Sequence, residues 1–341
     1  MIKYPSIEQF KNVIKEVTNT TRYAGKDENG KNIYNNDILP VLRFKGTTKL
    51  HGTNSSCVIN NLGDISYHSR ERTLNLQHDN MGFYVFGSQR EKLFRKIREI
   101  VQEYFGRDDI DVCIFGEYVG KNIQKGVAVS ELEKSMFIFD IQVINSDGED
   151  HYWLDLDQIV FDDILEELNK NNIYFINQYK TWEIDIDFNT PESVQNQLIR
   201  WTTEVGDECP VGKAFGISGL GEGIVFAHNS EKGRYQMKVK DSRHANSKVK
   251  TLAPVDEEMI HSVNEFANTY VTEARLEQGL FYLENELELE ADIKNTGKFI
   301  SWVVNDIMKE EHDSIIANNI NVKKLSGAIG NIARQWYIRK I

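Results

Sequence analysis

Residues 42–54, Leu42-Arg43-Phe44-Lys45-Gly46-Thr47-Thr48-Lys49-Leu50-His51-Gly52-Thr53-Asn54, join a β-rich run to a lysine, a histidine and a glycine. LRFKGTTKL (42–50) reads as a strand, and SSCVIN (55–60) and DISYHS (64–69) as two more, joined in a hairpin through Asn61-Leu62-Gly63. Further strands are VCIFGEYV (112–119), MFIFDIQVI (136–144), GIVFAH (223–228) and YQMKVK (235–240), the last two flanking a hairpin-length loop, Asn229–Gly233. Leu93, Phe94, Ile97, Val101 and Tyr104 line one face of a helix expected over 90–105, and 155–171 carries a second helical pattern. Hairpins with inserted helices predict an α+β fold on antiparallel sheets, not a doubly wound sheet.

The texture changes at Leu252-Ala253-Pro254. Met259, Val263, Phe266 and Tyr270 then recur at helical spacing, and Thr296 is expected to cap a helix carrying Phe299, Val303 and Ile307. The boundary is therefore placed near 245–255, with a mixed domain over 1–245 and a helical one over 250–341.

A length of 341 residues fits two domains at ~100–200 residues each. No apolar run reaches the ~20 residues of a membrane span. The opening MIKYPSIEQF lacks a signal-peptide core, so secretion is not expected. Cys57, Cys113 and Cys209 are far apart, without a CxxC, which argues against a disulfide framework and for a reduced, cytoplasmic setting. The net charge of −12 does not exclude a nucleic acid, because binding depends on local patches. Residues 256–313 hold 15 acids and four bases, whereas 322–341 hold Lys323, Lys324, Arg334, Arg339, Lys340 and no acid. That tail either contacts a phosphate backbone or packs onto acidic helices.

Lys49, followed by His51 and Gly52 at a strand end, is a candidate covalent nucleophile. An exposed lysine is protonated and unreactive, so such a role needs burial or nearby positive charge. Four other segments stand out: Phe115-Gly116-Glu117, Phe137-Ile138-Phe139-Asp140-Ile141, Gly221-Glu222-Gly223-Ile224-Val225-Phe226 and Lys238-Val239-Lys240. Each alone has a plain structural reading. Glycine-flanked glutamates sit in turns, a Phe-Ile-Phe run fills a core, and lysines two apart mark the polar face of an edge strand.

In this order the five segments resemble the covalent nucleotidyltransferase superfamily of ATP-dependent ligases and RNA-capping enzymes. The form KxHGTN, with histidine where DNA ligases and capping enzymes carry aspartate, resembles the RNA ligase 2 family of phage RNA ligases and trypanosome editing ligases. The resemblance covers residues 40–242. It implies an antiparallel-sheet, ATP-grasp-like adenylyltransferase domain followed by a small all-helical C-terminal domain. It implies that Lys49 forms a lysyl-AMP, with His51 and Asn54 serving later steps. Arg70, or Arg72 two residues on, would contact the nucleotide or donor phosphate. Glu117 would lie at the ribose and metal, Phe139 would stack on adenine with Asp140 beside it, and Glu222 would help place the metal. Lys238 and Lys240 would grip the phosphates. Lys45 also precedes a glycine but lacks the following HG pattern, so it is rejected as nucleophile. The implied cofactors are ATP and Mg2+ or Mn2+. The implied partner is RNA, as a nicked duplex or RNA/DNA hybrid, bound by a monomer in the cytoplasm, of a host if the protein is viral. No five-strand OB pattern follows the KxK segment, which favours an RNA ligase over a DNA ligase or capping guanylyltransferase. A catalytically idle RNA-binding module is the rival of another class.

Overall fold

The computed structural model describes residues 2–145, 151–230, 233–241, 257–287 and 289–341. The chain opens with β1 (Glu8–Gln9), α1 (Phe10–Arg22), β2 (Tyr23–Lys26), β3 (Asn32–Tyr34), β4 (Val41–Lys49), β5 (Thr53–Ile59) and β6 (Ile65–Ser69). Next come α2 (Phe83–Ser88), α3 (Glu91–Phe105), β7 (Ile110–Val119), β8 (Ser135–Asn145), β9 (His151–Trp153), α4 (Asp162–Lys170), β10 (Ile173–Phe175) and β11 (Thr181–Asp187). Helices α5 (Gln195–Asp207) and α6 (Pro210–Ala214) lead into β12 (Gly223–Ser230) and β13 (Gly233–Lys240). From residue 257 on, every described element is helical: α7 (Glu257–Tyr270), α8 (Glu273–Phe281), a π-helical turn at Tyr282–Glu286, a 3-10 turn at Ile293–Asn295, α9 (Thr296–Glu310), α10 (His312–Ala317) and α11 (Val322–Lys340).

One sheet has the order β1-β13-β12-β4-β11 and a second the order β10-β8-β7-β5-β6, with β9 also on β8. The β4–β12–β13 and β5–β7–β8 pairings are antiparallel, as expected. The edge pairs β1–β13 and β10–β8 are parallel. Alternation fixes the faces. Phe44, Gly46 and Thr48 of β4 are buried, while Lys45, Thr47 and Lys49 point the other way and are partly exposed. Helices α2, α3 and α4 bury Phe83, Phe94, Ile97 and Leu168 against one face of the second sheet. Val58, Cys113 and Phe115 form a smaller cluster with Phe139 and Trp153.

By their contacts, Met1–Val13, Arg43–Ile184 and Gln197–Leu252 form one compact unit. Ile14–Leu42, Asp185–Asn196 and Ala253–Ile341 form another. The boundary expected at 245–255 lies outside the described residues. Segments 14–42 and 185–196, expected within the first domain, group with the second, where the Asn331 side chain donates to the Asn189 carbonyl at 3.2 Å. The β2–β3 hairpin therefore belongs to the same unit as the C-terminal helices. No described helix is long and apolar enough to cross a membrane.

Several expectations shift. The helix read over 155–171 spans only Asp162–Lys170, because Asp155 and Asp157 lie in the preceding turn and hold Lys45. Thr296 is not the cap of α9: Asn295 holds that position, and the Thr296 hydroxyl donates to the Ile293 carbonyl at 2.8 Å. The basic tail is the amphipathic α11, burying Leu325, Ile329, Ala333 and Tyr337, with Lys340 paired to Glu277 at 2.7 Å.

Two residues make sharp demands. A Cβ at Gly52 would stand 2.3 Å from the Tyr118 carbonyl oxygen, so only glycine lets the chain pass between the sheets here. Gly52→Ala should lower the unfolding free energy by about 1–3 kcal/mol in urea titrations. His68 is buried, with Nε2 2.9 Å from the Ser66 hydroxyl and Nδ1 3.1 Å from that of Thr73. Burial pushes its imidazole down to about 4. The unfolded chain therefore binds the extra proton first. This contribution to stability is full above pH ~6.5 and is lost as pH falls towards 4. His68→Gln should flatten stability against pH in that window.

Candidate functional site

Lys49 is the last residue of β4 in the first sheet, and Thr53 is the first residue of β5 in the second. Leu50-His51-Gly52 is thus the crossing between sheets. Lys49 pairs in register with Gly223 of β12, which pairs with Lys240 of β13. One step along, Thr47, Val225 and Lys238 pair in the same way. Directly opposed residues share a face, so Lys49, Lys238 and Lys240 converge on one side of the sheet. Gly223 is required between them. Its φ is +152°, and a Cβ there would lie 2.2 Å from the Val239 carbonyl oxygen. This face lines a cavity of about 790 Å3, and the second sheet supplies Asn54, Glu117 and Phe139 to it.

Glu222, just before β12, is buried and binds two cations. Lys49 Nζ lies 2.6 Å from one carboxylate oxygen and Lys240 Nζ 2.5 Å from the other. His51 Nδ1 is 3.6 Å from the oxygen that Lys49 uses. Burial pushes the Glu222 carboxyl up, but the two lysines outweigh it and hold it below the usual range. Lys238 is pulled below the usual lysine range, first by burial and then by the positive charges of Lys240 and Lys49.

On the second sheet Asn54 and Glu117 are opposed across β5 and β7. Glu117 accepts the Gly52 N–H at 2.9 Å, which ties it to the crossing. Its carboxyl is pushed up to about 7 by burial, with Glu222 adding to the rise and Lys49 opposing it. Phe115 pairs with Asp140 but Gly116 with Ile138, so Phe139 is the extra residue of a β-bulge. Such a bulge re-aims a side chain, here bringing both Phe139 and Asp140 to the cavity wall.

Asp140 is not part of the cluster around Lys49. Its buried carboxylate pairs with Arg234 at 2.5 Å and accepts from the Tyr4 hydroxyl. Tyr4 also receives the Gln236 amide and packs edge-on to Phe139 at 5.0 Å, while Arg234 stacks on Trp153 at 4.0 Å. The sequence reading missed Tyr4, Arg234, Gln236 and Trp153. The signal for two of them was present, since Arg234 and Gln236 continue the period-two row of Lys238 and Lys240. Arg70 lines the cavity, whereas Arg72 donates to the Asp79 carbonyl at 3.0 Å, away from it. Lys45 is held by Asp155 at 2.9 Å and Asp157 at 3.1 Å, which keeps its ammonium protonated. Among the described residues no group of three or more His, Cys, Asp or Glu side chains is arranged to hold a metal ion.

The first unit thus presents three lysines and two carboxylates beside a cavity of nucleotide size. No curated protein matches the chain. Among solved structures, the chain matches Naegleria gruberi RNA ligase with PPi at 17% identity and a TM-score of 0.42, covering 70% of this chain and 56% of that one. A mutant of the same ligase with AMP and Mn matches at 16% identity and 0.43, covering 71% and 57%. The chain therefore spans little more than half the length of these structures. The RNA ligase family model matches residues 43–240, more than half of the sequence and the whole of the lysine–carboxylate constellation. By that match the chain belongs to the RNA ligase family.

Proposed function

We propose that this protein is an ATP-dependent RNA ligase of the RNA ligase 2 type, sealing a 5′-phosphate to a 3′-hydroxyl at nicks in duplex RNA or an RNA/DNA hybrid. The observation that carries this reading is the register of Lys49, Gly223 and Lys240 with Glu222 bound between the two lysines. A surface row of lysines has no need of a buried carboxylate at its centre.

In the first step Lys49 Nζ, after losing a proton, attacks the α-phosphorus of ATP. An N–P bond forms, the bond to the β-phosphate oxygen breaks, and pyrophosphate leaves. Lys238, Lys240 and Arg70 neutralise the phosphate oxygens, and Phe139 stacks on adenine. Lys49 loses its charge on becoming a phosphoramidate, yet Glu222 keeps Lys240 on its other oxygen and is not left an unpaired buried charge. AMP then passes to the RNA 5′-phosphate, and attack by the 3′-hydroxyl releases it, with His51 and Asn54 at the reacting groups. Mg2+ or Mn2+, when bound, adds charge neutralisation and orientation at the phosphates. Glu117 fits such an ion, since its raised carboxyl is short of positive charge, whereas Glu222 would have an oxygen for it only once Lys49 has given up its charge. Asp140 does not fit it, because Arg234 already occupies its carboxylate. The adenylyltransferase role belongs in this proposal to the first unit, and the hold on the nucleic-acid end to the C-terminal helices of a cytoplasmic monomer.

Incubation with ATP labelled at the α-phosphate should label the wild-type protein and not Lys49→Ala, which should still seal a pre-adenylylated strand. Label from GTP instead would indicate a capping enzyme, sealing confined to DNA nicks a DNA ligase, and no label from either an idle module. Lys240→Ala should slow adenylylation by about 10²-fold, as loss of a preorganised charge contact does. Phe139→Ala should weaken ATP binding by ~1–3 kcal/mol in calorimetry, with Phe139→Leu milder.

A further inference from the structure

A second concave site lies within the helical unit. It is a groove of about 550 Å3 along the outer face of α9, walled on one side by the π-helical turn. Trp302 is its floor. The indole stacks on Tyr282 at 5.7 Å and 28°, and the close pass of α8 behind it depends on Gly279, where a Cβ would stand 2.9 Å from Trp302 Cε3. The ring is half-buried and fixed before any ligand arrives. Lys298, Ser301, Asn305 and Lys309 project from the same face of α9, all exposed. Lys298 and Lys309 have no carboxylate partner among the described residues. The groove's one described acid, Asp306, is paired with Arg275 at 2.9 Å.

We propose that this groove binds a single-stranded segment of RNA, with a base stacked on Trp302 and backbone phosphates at Lys298 and Lys309. The proposal rests on the RNA ligase reading above and gives single-stranded RNA beyond the sealed duplex a place on the helical unit. A preorganised aromatic platform beside unpaired cations is what recognition of single strands requires, because every base offers a π-face. The two lysines are 11 residues apart on one helix, roughly 16 Å at 1.5 Å per residue, which spans more than one phosphate. Charge complementarity selects the occupant. In a chain of net charge −12, Lys298 and Lys309 stand in a groove whose one described acid is already bound to Arg275, and neither has an ion-pair partner among the described residues. The basic row of α11 is the weaker candidate, since Lys340 is held by Glu277 and Arg334 is half-buried.

The test measures binding of a fluorescent oligouridylate to the full chain across a salt series. Trp302→Leu should weaken binding by about tenfold or more, and Trp302→Phe should restore most of it. Lys298→Ala with Lys309→Ala, both on the exposed face and harmless to folding, should reduce the slope of log K against log salt by about 1.4. Labelling by ATP should be unchanged in all three variants. Unchanged RNA affinity and slope in the lysine pair, with ATP labelling intact, overturns the groove alone. Failure of ATP to label the wild-type protein overturns the ligase reading instead. Displacement of the RNA by polyglutamate as readily as by unlabelled RNA would identify an acidic peptide site and also overturn the proposal.

Discussion

The first unit is organised around one buried carboxylate. Glu222 binds an ammonium on each oxygen, from lysines two strands apart, and neither lysine could sit so close to the other without it. The constraint runs both ways. A lone carboxylate at that depth would be strongly disfavoured, and two facing lysines would repel across Gly223. The arrangement also needs the three strands in one register, because a slip of a single residue would send a lysine to the apolar face that holds Phe44, Ile224 and Phe226. Register, glycine and ion pairs are thus one condition.

The cavity is polarised as a result. Its β13 wall carries Lys238 and Lys240, and its β7 wall carries Glu117. Burial raises both Glu117 and Asp140, but the two are compensated differently. Asp140 has the Arg234 guanidinium and the Tyr4 hydroxyl, which fix it as part of the wall. Glu117 has one backbone N–H and the more distant charge of Lys49, which leaves it the carboxylate most open to an added cation. Two acids that read alike in the sequence therefore have separate parts in the site.

Much of this was legible before the structure. Period-two alternation located the strands that carry Lys49, Glu117, Phe139 and Lys238, and the turn at Asn61–Gly63 fixed the first hairpin. What escaped was whatever depends on distant pairing. Tyr4 lies 136 residues from Asp140, and no local pattern joins them. The bulge at Phe139 arises from the register of β7 against β8, not from any residue preference at 139. The grouping of 14–42 and 185–196 with the C-terminal helices is a matter of tertiary contact. Thr296 carries a good capping side chain, but the preceding turn, capped by Asp292, displaced it by one position and took its hydroxyl.

Charge counting alone decides less. Five bases in the last twenty residues left open a phosphate contact or packing onto acidic helices, and Lys340, bound to Glu277, takes the second course, with Arg334 half-buried. Lys45 resembles a nucleophile by its neighbours but is saturated by two aspartates. A cation can meet a phosphate only where the fold withholds carboxylates from it and holds it on a stiff support. Lys238 meets both conditions: the charges that act on it most are those of Lys240 and Lys49, and it has no ion-pair partner among the described residues. Lys298 and Lys309, without an ion-pair partner among the described residues, stand on α9. The sequence shows how many cations there are, whereas packing decides which remain unpaired, and so an acidic chain can still carry local sites for an anionic polymer.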